Sequence, residues 1–455
     1  MRMTPSVLTP AQRQHAERNL PRYTSYPTAL AFDAEQASAA KSWLGRTRVE
    51  DRLSVYVHVP FCRRLCWYCG CHTSIAHSYK RVGTFFETLM REVDLVAARL
   101  GKHDGLAHLH FGGGSPNALS PEDFAALVTR LKTVFRPRPG AEIAAELDPG
   151  MLSEAFVDAA GAVGVNRVSL GVQTFDPTVQ ALVNRIQPYD HVARATERLR
   201  AVGVKGLNFD LMYGLPGQTP ENVHESARLA VQLRPDRVAV FGYAHVPWMK
   251  KHQTMIREAD LADLDGRWAQ AEAADAALKE AGYVRIGLDH YALPGDALAH
   301  AATEGRLRRN FQGYTDDPAP VLVPIGPSSI GQFREGFVGN LVPTDQWSAA
   351  VARGELPLSR ALVLDAEDRL RAAVIERLMC DMRVDVAAIC REQGFAENHL
   401  DAELSAVDAL RLASLCARDG AVVSIPEAAR RLMRVVAAAF DARLPAAAAR
   451  HAKAV

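Results

Sequence analysis

An α/β barrel with a small, mainly helical C-terminal domain is the architecture this sequence predicts. Three observations predict it. From Leu53 to about Asp289, short strand patterns alternate with longer helical ones, the order that produces βα units and a parallel sheet. Several of those strands are polar on one face, whereas the strands of an ordinary parallel sheet are apolar on both because both are buried. Past Asp365 helical periodicity takes over.

Taken in order, residues 1–50 form a polar, weakly patterned extension. One hydroxyl-dense stretch breaks it, Arg22-Tyr-Thr-Ser-Tyr-Pro-Thr28, with Pro27 stiffening the backbone; on composition alone this is a surface loop. The predicted strands are Leu53–Val59, Leu106–Phe111, Ala141–Leu147, Arg167–Gln173, Leu207–Met212, Arg237–Tyr243 and Tyr283–Asp289. Between them, Pro121–Phe135 places Phe124, Leu127, Val128, Leu131, Val134 and Phe135 on one helical face. Tyr79–Leu100 does the same with Phe85, Leu89, Val93, Val96 and Leu100.

Side chains on a strand point alternately to opposite faces. Ser54, Tyr56 and His58 therefore oppose the leucine and valines of the first strand, and Glu142 and Glu146 oppose Ile143 and Leu147. Arg167, Ser169, Gly171 and Gln173 oppose Val168, Leu170 and Val172, and Asn208 and Asp210 oppose Leu207, Phe209 and Leu211. A barrel with helices outside and a polar cavity inside accounts for this pattern. Glu146, Gln173 and Asp210 fall late in their strands, at the end where barrel sites form. A half-exposed antiparallel sheet would alternate similarly, but the intervening helices argue against it.

Residues 290–365 show no clear periodicity and are expected to be irregular, closing the barrel. Beyond them, helices Asp368–Met379 and Ala402–Arg418, a strand Ala421–Ile425 and a helix Glu427–Phe440 suit a small winged-helix-like unit. The alanine-rich tail 445–455 is expected to fray.

Composition narrows the function. The 53 basic and 52 acidic residues leave a net charge of +1, which argues against a binder of nucleic-acid backbone. No apolar run approaches the ~20 residues of a membrane span, and MRMTPSVLTPAQRQHAERNL has no signal-peptide core. A cytoplasmic protein, in which thiols stay reduced, is expected. Clustered cysteines in that compartment point to metal or catalysis. Cys380, Cys390 and Cys416 lie in helical pattern and read as core fillers.

Four of the seven cysteines lie within FCRRLCWYCGC, at 62, 66, 69 and 71. The first three, spaced C-x₃-C-x₂-C in one loop after the first strand, suit three irons of a four-iron cluster whose fourth iron has no protein ligand. A structural zinc site using all four thiols is the alternative, although zinc knuckles usually come as two separated pairs. Phe111-Gly-Gly-Gly-Ser-Pro116 follows the second strand. Its consecutive glycines suit either a tight turn or a loop whose N–H groups bind a carboxylate.

These residues together resemble the radical S-adenosylmethionine superfamily. YVHVPFCRRLCWYCGC, LHFGGGSP, ELDP, GVQTFD, NFDLMYGLPGQT, RNFQGYT and RYTSYPT narrow the resemblance to the oxygen-independent coproporphyrinogen III oxidase family, from about Arg22 to about Phe333 and more weakly beyond. The resemblance implies a partial (β/α)6-type TIM barrel over 51–365, an extension over 1–50 closing on the active site, and a helical domain over 366–455. It implies an oxidoreductase of haem biosynthesis that converts two propionates of coproporphyrinogen III to vinyl groups without oxygen. It further implies a [4Fe-4S] cluster, two molecules of S-adenosylmethionine, an external electron donor and acceptor, and a monomer.

By matched position, Cys62, Cys66 and Cys69 would hold the cluster. Tyr56, Gly113, Glu146 and Ile330 would contact the cluster-bound S-adenosylmethionine; Tyr68, Gly114, Ser115, Gln173, Arg185, Asp210 and Ala244 would contact the second. Cys71 matches a cysteine required for activity that is not a settled ligand. Arg22, Arg308 and Arg309 are candidates for the anionic propionates. Two departures stand out. GGGSP replaces the usual GGGTP, and 323–330, VPIGPSSI, carries Pro324 and Pro327 where a glycine-rich run is expected. Haem-carrying chaperones share the three-cysteine motif but generally lack the CGC cysteine and RYTSYPT, both present here.

Overall fold

The computed structural model describes residues 8–444; the tail expected to fray, 445–455, lies outside them. One sheet of twelve strands organises the chain. We number them β1 (Leu53–Val59), β2 (Leu106–Gly113), β3 (Pro137–Leu147), β4 (Arg167–Gln173), β5 (Gly206–Tyr213), β6 (Arg237–Gly242), β7 (Val284–Ile286), β8 (His290–Ala292), β9 (Val321–Ile325), β10 (Ile330–Gln332), β11 (Gly336–Asn340) and β12 (Leu358–Val363). Their spatial order is β12-β11-β10-β9-β1-β2-β3-β4-β5-β6-β8-β7. Strands β1 to β6 are successive parallel neighbours, and β9 lies parallel to β1 on its other side. The two end strands, β12 and β7, do not pair with each other, so the barrel is partial.

Helices α1 (Tyr79–Ala97), α2 (Pro121–Phe135), α3 (Glu154–Ala162), α4 (Tyr189–Ala201), α5 (Pro220–Gln232) and α6 (Leu264–Glu280) cover the outer face. Their starts are written locally. Ser120 accepts from the Asp123 amide at 3.1 Å and Pro121 opens the first turn of α2, the cap and first residue a helix favours. The predicted faces bury as expected: Phe124, Leu127, Val128, Leu131 and Phe135 on α2, and Phe85, Leu89, Val93 and Val96 on α1.

Two expectations are corrected. Tyr283–Asp289 is not a seventh parallel strand. It breaks at Gly287, whose φ of +53° turns the chain, into β7 and the antiparallel β8. Residues 290–365 are not irregular: they supply β9 to β12. Val321–Ile325 is buried at every position, so no polar alternation marks it, and Pro324 argued against a strand. The proline is tolerated where the β9–β10 ladder has shrunk to one pair, Leu322↔Gln332.

The stretch RYTSYPT is not a simple surface loop. Tyr23 and Tyr26 are buried, the Tyr23 hydroxyl donates to Asp441 at 2.9 Å, and the Tyr26 hydroxyl accepts from the Ala442 amide at 3.2 Å. They join a second core with Leu370, Leu378, Val407 and Val436, so the first and last described segments pack together. That C-terminal part holds α7 (Ala366–Asp381), further helices and a three-stranded sheet of Arg383–Asp385, Val422–Ser424 and Ala417–Asp419. Cys380, Cys390 and Cys416 are buried there, as expected of core fillers.

Candidate active site

The polar faces predicted from alternation line a cavity of about 300 Å³ inside the barrel, bordered by Glu146, Ser169, Asn208 and Asp210. Glu146 accepts from His110 at 2.8 Å and from the Gly113 amide at 3.4 Å. Burial alone would raise its carboxyl; the hydrogen bond and charge of His110, the Gly113 amide and nearby His58 outweigh burial and hold it below the ordinary range. Asp210 accepts from Ser169 at 2.9 Å and Asn208 at 2.8 Å. Burial and the charge of Glu146 nonetheless raise it to about 6.

Tyr56 stacks on His110 with ring centroids 5.9 Å apart, and its hydroxyl lies 3.2 Å from His58 Nδ1. The other His58 nitrogen lies 2.9 Å from the His72 carbonyl. Burial brings His58 down to about 4, so it is neutral and must donate from one nitrogen only. His108 and His110 were not singled out from the sequence. Their alternation with Leu109 and Phe111 carried the same signal as that of Glu142 and Glu146.

The cysteine loop lies over this end of the barrel. Thr73 donates to Cys62 Sγ at 3.2 Å and Arg185 donates to Cys66 Sγ at 3.5 Å. Arg185 also donates to the Gly171 carbonyl at 2.6 Å and Asp148 at 3.2 Å, tying the loop to β3 and β4. Gln173, at φ +67°, ends β4 beside it. From the far side, Gln253 donates to the Tyr68 carbonyl at 2.9 Å, His252 lies 2.7 Å from that of Cys69, and Lys250 donates to that of Cys71 at 2.9 Å. Burial raises Cys62 to about 11, the Thr73 hydrogen bond offsetting only part of this. A hydrogen bond from Cys71, aided by His252 and Lys250, brings Cys69 down to about 6 despite burial. Cys71 itself is exposed.

Of the two roles open to the glycine motif, its backbone bonds fit the turn. Gly114 N–H donates to the Val59 carbonyl and Ser115 N–H to that of Phe61, both at 2.8 Å. Those amides are therefore committed to the cysteine loop and are not free for a carboxylate. Ser115 is buried; its hydroxyl donates to Asn117 and accepts from the Asp148 amide at 3.1 Å. The glycines allow close approach: a Cβ on Gly113 (φ +111°) would lie 2.6 Å from the His58 ring, and one on Gly114 2.7 Å from the Phe61 carbonyl. Ile330 opens β10 and packs against the patch of Phe32, Phe337 and Leu362. Ala244 follows β6 and borders a separate cavity with Arg22. Of the other arginine candidates, Arg308 pairs with Glu376 at 2.8 Å. Arg309 donates to the carbonyls of Tyr23 (3.0 Å) and Arg22 (3.2 Å) and lies over the Tyr314 ring, so both are structurally engaged.

Comparison with known proteins explains this arrangement. Residues 56–230 match the profile of the radical SAM superfamily. The chain is 44% identical to the oxygen-independent coproporphyrinogen III oxidase of Bradyrhizobium diazoefficiens over 97% of its own length and 98% of that protein's. It is 40% identical to that of Paracoccus denitrificans, covering 93% and 94%. The chain belongs to the oxygen-independent coproporphyrinogen III oxidase family. Its fold superimposes on the coproporphyrinogen III oxidase of Escherichia coli, a radical SAM enzyme, with a TM-score of 0.88 at 33% identity, over 94% of this chain and 99% of the other. As a radical SAM protein it uses an iron–sulfur cluster and S-adenosylmethionine.

The cysteine loop suits that cluster. Its thiols are soft ligands supported by cationic neighbours, which favour the thiolate that binds metal. Among the described residues, no three His, Cys, Asp or Glu side chains are gathered to hold a metal ion. Among the described residues no helix is long and apolar enough to cross a membrane.

Proposed function

We propose that this chain converts coproporphyrinogen III to protoporphyrinogen IX without oxygen, turning two propionates into vinyl groups. The observation that carries this reading is near full-length identity with enzymes of that name, combined with a cysteine loop seated over a polar barrel interior. An unactivated C–H bond lies beyond acid–base groups at ordinary pKa, and a bound cluster with S-adenosylmethionine would supply the radical chemistry that breaks it.

This chain's residues bind and orient. Cys62, Cys66 and Cys69 hold three irons. Tyr56, Gly113, Glu146 and Ile330 would contact the cluster-bound S-adenosylmethionine, with Glu146 held anionic by His110 to meet its cationic groups. Tyr68, Gln173, Arg185, Asp210 and Ala244 line the place of a second S-adenosylmethionine. Gly114 and Ser115 belong to that set as braces, because their amides hold the cysteine loop down. Cys71 stands beside Cys69 at the exposed face of the loop, suited to handling a proton there. The N-terminal extension, anchored by Tyr23 and Tyr26, closes the rim; an external donor and acceptor move the electrons, and the chain acts as a monomer.

Anaerobically reconstituted protein, given reductant, S-adenosylmethionine and coproporphyrinogen III, is expected to release protoporphyrinogen IX, carbon dioxide, methionine and 5′-deoxyadenosine. Tight haem binding with no turnover would overturn the assignment, as would zinc in place of iron on metal analysis.

A further inference from the structure

A second cavity of about 560 Å³ opens at the C-terminal rim of β5 and β6, between the N-terminal segment, α6 and the turn at Arg431–Arg434. Its charge is unusual. Arg22 donates to the Gly242 carbonyl at 3.0 Å, and Arg267 donates to the Tyr243 carbonyl at 2.9 Å with its guanidinium 5.7 Å from the Tyr213 ring centroid. Among the described residues neither of these two arginines has an ion-pair partner; carbonyl oxygens and a ring face hold them in place. The buried Arg434 reaches the carbonyls of Leu20 (3.1 Å) and Pro21 (3.4 Å).

The acids bordering the cavity are engaged by other groups, although the charge of Asp289 is also felt by Arg22 and Arg434. Asp289 is hydrogen-bonded to His290 at 2.7 Å, Asp263 caps α6 through the Gly266 amide at 2.9 Å, and Glu258 lies 3.8 Å from His245. Glu17 is also engaged. Burial and the charge of Arg22 lower Arg267, and the same two causes bring Arg434 to about 10. Arg22 and Arg267 repel one another, Asp289 offsets only part of that charge, and an anionic ligand relieves the rest.

The walls add a second requirement. Tyr213, Tyr243 and the exposed Trp248 present flat apolar surface beside the arginines. The volume lies within the usual range of small-molecule sites and exceeds what a simple ion needs. A macrocycle of flat pyrrole rings bearing carboxylates meets both demands. S-adenosylmethionine also has a carboxylate, but its ammonium and sulfonium leave it net cationic, so it suits the cavity's edge at Ala244 and not the part lined by Arg22 and Arg267.

Resting on the proposed function, we infer that this cavity is the subsite for the carboxylates of the tetrapyrrole, with Arg22 and Arg267 as the groups that bind them. The propionates held here are remote from the radical and position the macrocycle, while the reacting one enters the barrel interior.

The test is fluorescence titration of anaerobically reconstituted protein with coproporphyrin III, the oxidised tetracarboxylate, alongside equilibrium binding of S-adenosylmethionine. Arg22→Gln and Arg267→Gln are each expected to weaken porphyrin binding about tenfold, the loss of one charge-assisted contact, with S-adenosylmethionine affinity within about twofold of wild type. Arg267→Lys is expected to recover part of the loss. Because Arg22 is exposed, its variant reports even if Arg267→Gln fails to fold. Unchanged porphyrin affinity in both glutamine variants would overturn the inference. So would weakened S-adenosylmethionine binding with porphyrin binding intact, which would give the carboxylate site to the cofactor. Wild-type protein that binds coproporphyrin through these arginines yet forms no decarboxylated product would overturn the proposed function and leave this inference standing.

Discussion

Glu142 and Glu146 lie four residues apart on the same face of β3, yet one belongs to the floor of the barrel and the other to its rim. On the floor, Arg167 donates to Glu142 at 2.6 Å and Arg237 to Asp296 at 2.7 Å, while Ser54 and His108 reach Asp317. Burial works against ionising Glu142, but His108, Arg167 and Arg237 hold it well below the ordinary carboxylate range. On the rim, Glu146 has one histidine and an amide, and Asp210 accepts from two neutral donors. Floor charges are matched by the protein itself. Rim charges are oriented by hydrogen bonds and left for a ligand to match.

The largest effect expected of this contrast is at the cysteine loop. Cys66→Ser is expected to abolish turnover and the visible absorption of the reconstituted cluster. The unfolding stability of apoprotein should stay within about 0.5 kcal/mol of wild type, because Cys66 itself is only half-buried and the loop's core contacts are made by Phe61, Trp67 and Tyr68. A large loss of apoprotein stability would blur the line between rim and floor. The floor should behave in the opposite way. Arg167→Ala takes from the buried Glu142 its 2.6 Å partner, leaving only His108 and the more distant Arg237, and is expected to cost about 3 kcal/mol in denaturant unfolding. Cleavage of S-adenosylmethionine per folded molecule should be retained. Unchanged stability with lost cleavage would move Arg167 to the rim.

That contrast was only half legible in the sequence. Alternation placed Tyr56, Glu146, Gln173 and Asp210 on the inner face because strand parity is local and each strand sits between helices of plain periodicity. Parity cannot say which end of the barrel an acid will serve, since Glu142 and Glu146 alternate identically; that depends on Arg167 and His108 from neighbouring strands. Strands β9 to β12 were hidden because both faces of Val321–Ile325 are buried and Pro324 speaks against a strand. The glycines of FGGGSP were found as a motif, but only the fold reveals that their amides turn toward Val59 and Phe61. Arg267 was invisible: on α6 it reads as a solvated charge until helix and strand ends meet.

A smaller effect is expected at Asp210. Its carboxyl titrates near 6, so its negative charge develops as pH rises through that value. Affinity for S-adenosylmethionine, a cationic ligand, should rise about tenfold across the same interval, the gain of one charge-assisted contact. Asp210→Asn should hold the weaker value at every pH. A slope that survives in the asparagine variant would assign the titration to another group.

A last effect, read on stability alone, probes a buried acid that belongs to neither end. Glu92 on α1 is 1% exposed and accepts from the Gly326 amide at 2.7 Å and from Asn340 and Trp347 at 3.0 Å, holding the loop that leads into β10. With only neutral donors, burial raises it to about 8. The folded protein therefore keeps a proton that the unfolded chain gives up above its ordinary value of 4.5. The linkage follows: the stability this proton contributes is complete below pH 4.5, declines as pH rises and is lost by about pH 8. Glu92→Gln has no such proton. The stability difference between the two proteins should drift in favour of glutamine between those values and then level off. Because other titrating groups are common to both proteins, they cancel in the difference. A flat difference would mean that Glu92 is ionised in the fold, and that neutral donors alone suffice to hold a buried charge, on the rim as well as here.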